Sequence, residues 1–162
     1  MFIYSVRAGT LKLFGFIALA VVLTLGIVFI GTDGAALEAG ASGTVDFSGV
    51  KTNADRVKFI EQFGIQVDDT PIEEEAFAIP ENFDRVILGY NELQKKQGLD
   101  LSKYAKKRVT RYTYKVENYD WDGEVYVNLF IWRSRVVGCD ISSADPEGFV
   151  APLTLVNRTK LK

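Results

Sequence analysis

The chain has 162 residues, a formal net charge of -2, one cysteine and no histidine. This length leaves room for one domain with a modest core once a membrane-length apolar stretch is set aside. The charge balance argues against nucleic-acid binding by bulk electrostatics, and the lack of histidine removes the usual serine and cysteine triads and most zinc and copper sites.

Between Lys12 and Asp33 there is no charged residue, and Leu13 to Gly31 is almost wholly apolar with no polar face. At 1.5 Å per residue this run spans roughly 28 Å, close to the hydrocarbon thickness of a bilayer. A transmembrane helix is expected over residues 13–31. Arg7 and Lys12 precede the run, whereas Asp33, Glu38 and Asp46 follow it with no Lys or Arg before Lys51. The positive-inside rule then places residues 1–12 in the cytoplasm and the remainder outside, as a single-pass protein of the cell membrane. A cleaved signal peptide is the rival reading, since Gly34 and Ala36 could form a small-x-small site. Its apolar region would be about 7–15 residues, shorter than this run. Residues 32–50, rich in Gly, Ala, Ser and Thr, read as a flexible linker to an extracytoplasmic domain over 51–162.

The domain opens with a helix from Asn53 to Phe63, capped by Thr52 with Asp55 in the capping-box position and ended by Gly64. A short extended piece, Ile65–Val67, and an acidic turn at Asp68–Pro71 lead to a strand over Glu73–Ile79. From Glu81 to Gln97 the apolar positions Phe83, Val86, Ile87, Tyr90 and Leu93 share one helical face, and Gly98 stops the helix. A connection through Leu101 and Tyr104 precedes three strands. These are Lys107–Asn118, then Glu124–Arg133, which is apolar on both parities, then Val136–Ile141 after a turn at Ser134. Cys139, within this last run, reads as a small buried hydrophobe and not a reactive thiol. The expected fold is α+β: helix, strand, helix, then a three-stranded antiparallel meander with both helices on one of its faces. A short further strand is expected at Leu153–Val156.

Ile79-Pro80, Phe83-Asp84, the run Tyr90-Asn91-Glu92-Leu93-Gln94-Lys95-Lys96-Gln97-Gly98, Val109-Thr110-Arg111-Tyr112-Thr113-Tyr114 and Val137-Gly138-Cys139-Asp140-Ile141 together form a pattern. Between Thr52 and Phe149 it resembles an uncharacterised family of Gram-positive bacteria, a domain of unknown function in short proteins with an N-terminal membrane helix. The resemblance implies a protein of the bacterial envelope and no particular activity. The turn Asp120-Trp121-Asp122-Gly123 is longer than the resemblance implies.

Three groups of residues bear on function. Asn118, Asp120, Asp122 and Gly123 match the first half of a calcium loop, but Leu129 stands where the bidentate glutamate belongs, so a hairpin turn is the expected reading. Glu73, Glu74, Glu75, Asp120, Asp122 and Glu124 could supply an acid/base pair for a glycoside hydrolase, although no spacing fixes two of them at a working distance. Lys103, Lys106, Lys107, Arg108, Arg111 and Lys115, with tyrosines nearby, form either a solvated helix end and strand edge or a patch for lipid headgroups or an anionic wall polymer, and an envelope protein is a further candidate partner. No cofactor or metal is expected. The reading is a membrane-anchored interaction or sensing module, with a carboxylate-dependent envelope hydrolase as the alternative.

Overall fold

A computed structural model describes residues 45–145 and 147–162. Among these, no helix is long and apolar enough to cross a membrane; the transmembrane helix expected at 13–31 lies outside the described residues.

Helix α1, Asn53–Glu61, starts at a reciprocal capping box. The Asp55 carboxylate accepts from Thr52 N–H at 2.7 Å, and Thr52 Oγ1 accepts from Asp55 N–H at 3.2 Å. This satisfies donors that the first helical turn leaves free. Helix α2, Arg85–Lys95, begins later than the apolar spacing suggests, because the Asp84 carboxylate accepts from Ile87 N–H at 2.9 Å and sets the cap there. Gly98 follows its end with φ of 81°, the left-handed conformation that glycine adopts without strain.

The expected three-stranded meander is wrong. Strands β1 (Glu73–Ala78), β2 (Arg108–Lys115), β3 (Val125–Trp132), β4 (Arg135–Ser143) and β5 (Val150–Pro152) form one antiparallel sheet in the order β1-β2-β3-β4-β5. Strand β1, read from sequence as separate, occupies the free edge of β2, with Glu75 opposite Arg111 and Phe77 opposite Val109. The last strand lies three residues earlier than expected. Pro152 closes β5, and Leu153–Leu155 folds as a 3₁₀ turn whose Leu153 is fully buried.

The two helices also lie on opposite faces, not on one. Phe59, Ile60 and Phe63 join a core with Tyr114, Val127, Leu129 and Ile141, whereas Tyr90 joins another with Val109, Phe130 and Val137. In β3 the odd-numbered residues serve the first core and Phe130 the second, so the apolar side chains on both parities require cover on both sides. A register shift between Phe130 and Ile131 accommodates this close packing. At Gly138, on the facing strand, an added Cβ would come within 2.8 Å of Phe130 and 3.0 Å of Leu101.

Packing begins ahead of residue 51. Val50 is buried, Phe47 lies 5.9 Å from Phe59, and Phe47 C=O accepts from Val136 N–H at 2.8 Å. Val50 N–H donates to Ser134 C=O at 2.9 Å, so residues 45–50 run beside the start of β4.

Candidate functional site

Alternation in a strand sends every second side chain to the same face, and antiparallel register aligns them across strands. On the α2 face this brings Glu73, Thr113, Asn128 and Asp140 into one row across β1 to β4. Thr113 Oγ1 donates to Asn128 Oδ1 at 2.8 Å, and Asn128 Nδ2 donates to Asp140 Oδ1 at 2.9 Å. The hydroxyl of Tyr90, reaching down from α2, donates to Asp140 Oδ2 at 2.5 Å. Tyr90, Thr113, Asn128 and Asp140 are buried, whereas Glu73 at the β1 end of the row is exposed. Burial raises the Asp140 carboxyl above its ordinary range, against the lowering effect of its hydrogen bonds. Burial and the Asp140 charge push the Tyr90 phenol well up.

Beside the row, the buried Arg111 guanidinium donates to Glu73 Oε2 at 2.8 Å and to Glu75 Oε2 at 3.1 Å. Its Nε is buried without a hydrogen-bond partner among the described residues. The two glutamates therefore act as counter-ions to a desolvated cation, which would be costly to leave unpaired. The remaining acids named from sequence are elsewhere. Glu74 falls on the opposite parity of β1, facing the α1 side with Tyr112. Glu124 accepts from Lys115 at 2.7 Å and also from the Tyr126 hydroxyl, whose pKa this contact pushes up to about 12. Asp120 pairs with Lys162 at 2.8 Å, and Asp122 is exposed in the β2–β3 turn.

The calcium-like spacing folds as a turn that cannot present its first ligand. Asn118 points inward, its Oδ1 accepting from Gln66 N–H at 2.8 Å and its Nδ2 donating to Gly64 C=O at 2.9 Å. Among the described residues no three His, Cys, Asp or Glu side chains are grouped so as to hold a metal.

The six basic residues do not form one patch. Arg111 and Lys115 point to the α2 face and are paired with acids, as above. Lys106 pairs with Glu81 at 2.6 Å. Lys103, Lys107 and Arg108 are exposed beside the junction of β1 and β2, and no acid lies in ion-pair range of them among the described residues. Two further arginines escaped the sequence reading because they belong to a different hairpin. Arg133 and Arg135, exposed at the β3–β4 turn, lie at this same end of the sheet.

The run that carries the family resemblance proves to be a joint between α2 and β4. Gln94 Oε1 accepts from Cys139 N–H at 2.9 Å, and Gln97 Nε2 donates to Cys139 C=O at 2.6 Å. Both groups occupy the β4 edge just before β5 begins to pair at Asp140. Asn91 holds the next connection by accepting from Leu101 N–H at 2.7 Å and donating to Asp100 at 2.9 Å. Cys139 is fully buried here and its thiol pKa is pushed well up by burial, the environment of an unreactive thiol.

Sequence reading missed Thr113, Asn128 and Tyr90 as a connected set; the signal was Asn128, a polar side chain on a β3 parity otherwise made of Tyr126, Phe130 and Trp132. No curated protein and no solved structure matches the chain. A family model matches residues 59–141, from within α1 through most of β4 and just over half of the chain, and the chain belongs to that family, described as a domain of unknown function (DUF4830).

Proposed function

We propose that this protein is an interaction or sensing module held at the outer face of a membrane through its apolar segment 13–31. One observation carries the preference for binding over hydrolysis: of the six acids that a hydrolase could draw on, all but Glu74 and Asp122 are engaged by partners. Glu73 and Glu75 neutralise Arg111, Asp140 is held by Tyr90 and Asn128, and Glu124 and Asp120 pair with lysines. A glycosidase needs one carboxyl free to protonate the leaving oxygen and a second at a set distance across the bond. Here the carboxylates answer to one buried guanidinium, to surface lysines and to strand register instead.

The test is incubation of the full-length protein, in detergent or vesicles, with purified cell-wall glycan. The binding reading expects co-sedimentation or retention on envelope material with no release of reducing ends. Release of sugar that disappears in Glu75→Gln would overturn it in favour of the hydrolase.

A further inference from the structure

The two ends of the sheet carry opposite charge. At the end made by the β1–β2 connection and the β3–β4 turn stand Lys103, Lys106, Lys107, Arg108, Arg133 and Arg135, all exposed. Only Lys106 has an acid in ion-pair range among the described residues. Asp46 is also near, with Arg135 contributing to the lowering of its pKa, and Asp100 caps the turn that carries Lys103. At the opposite end, around the β2–β3 turn and the β4–β5 connection, Asp68, Asp69, Asp120, Asp122, Asp145 and Glu147 outnumber Lys160 and Lys162, of which Lys162 pairs with Asp120. Strand β2, running between the two ends, has eight residues, so the charges are separated by about 25 Å. That exceeds two Debye lengths at physiological salt, and a charged surface acts on one end at a time.

The basic end also carries an aromatic pair. Tyr104 and Trp132 are half-buried with ring centroids 5.4 Å apart, and the Arg133 guanidinium lies 4.7 Å from the centre of the Trp132 ring. Amphipathic aromatics beside Lys and Arg are the side chains that suit a membrane–water interface.

The chain joins the domain in the same half of the sheet, since Phe47 and Val50 bond to Val136 and Ser134 at the start of β4. Only residues 32–44 separate the apolar run from the first described residue. Thirteen residues reach no more than about 45 Å even fully extended, so a tethered domain stays near its membrane.

We infer that this basic, aromatic end docks on the anionic phospholipid surface of the membrane that holds the chain, leaving the acidic end outward. The inference rests on the tethered reading above. It commits to the membrane as occupant, because the thirteen-residue connection keeps that surface within reach of this end.

The two tryptophans sit at opposite ends and give the test. Full-length protein is reconstituted in vesicles containing phospholipid spin-labelled at the headgroup, with Trp121→Phe leaving Trp132 as reporter and Trp132→Phe leaving Trp121. Circular dichroism matching the parent confirms that each variant is folded. Trp132 should be quenched in vesicles containing phosphatidylglycerol, with relief in pure phosphatidylcholine or at high salt, and Trp121 should be unaffected. Exchanging Lys107, Arg108 and Arg135 together for Glu keeps the reporter and should lower the docked-to-free ratio by about tenfold or more. Trp132 quenching that ignores lipid charge and the triple exchange overturns docking, as does quenching of Trp121. Absence of lipid quenching together with a soluble polyanion shifting Trp132 emission overturns the membrane as occupant. Protein that does not float with vesicles after alkaline carbonate overturns the tether, and docking with it; protein that floats without these signatures overturns docking alone.

Discussion

Asp140 sets the pH response of the polar row. Its carboxyl is raised by burial in the native state, so folding favours its neutral form. The contribution is fully present below the ordinary carboxyl pKa of 3.8 and is lost as pH rises through the raised native value. Asp140→Asn keeps the shape and removes the titration. Urea unfolding of both proteins should therefore show the wild type losing ground to the variant as pH rises from about 3.5 to 7. A difference that is flat with pH would mean that Asp140 titrates alike in both states. Asp100 has the opposite sign. Hydrogen bonds from Ser102 and Asn91 hold it at about 2, so its contribution is present above 3.8 and is lost as pH falls from 3.8 through about 2. Neither sign could be read from the chain. Asp140 sits in an apolar run where only its neighbours across the strands, Asn128 above all, reveal that it is buried with partners. The capping box of Thr52 and Asp55 was legible because both halves lie within one helical turn.

At the scale of elements, what was local in sequence was readable and what depended on pairing was not. The helices, their caps and the glycines that end them announce themselves over a few residues. Strand β1 was readable as a strand over Glu73–Ile79, but its place at the edge of β2 was not. Its Glu-rich first half looks solvent-facing, and only the partnership of Glu73 and Glu75 with Arg111 in β2 explains acids at alternate strand positions. The placement of the helices had a usable clue in β3, whose two apolar parities call for one layer on each side. The β3–β4 turn is a clear case of local chemistry overridden by the sheet. Arg133 and Ser134 adopt φ of 46° and 62°, in a two-residue loop that favours Asn-Gly. Arg133→Asn with Ser134→Gly should raise unfolding stability by about 1 kcal/mol, measured by chemical denaturation. A loss instead would show that the Arg133 stack on Trp132 outweighs the relief of backbone strain.

For the molecule as a whole, the sheet acts as a spacer between unlike ends and as a partition between two cores. Its outer boundary bears on both roles. Composition placed the start of the domain at residue 51, because Gly, Ala, Ser and Thr dominate the preceding stretch and dilute its few large apolar side chains, Val45, Phe47 and Val50 among them. Yet Val50 is 4% exposed, Val45 and Phe47 pack on the α1-side core, and two backbone hydrogen bonds tie this segment to Ser134 and Val136. The same bonds fix where the tether meets the sheet. A protein beginning at residue 51 should therefore be less stable than one beginning at residue 45 by about 3 kcal/mol, the burial of one to two large side chains plus part of the hydrogen bonding. Parallel urea titrations of the two would measure this. Equal midpoints would show that the segment adds no net stability, so that the tether would join the domain at Lys51 and the β3–β4 turn would be free to move relative to it.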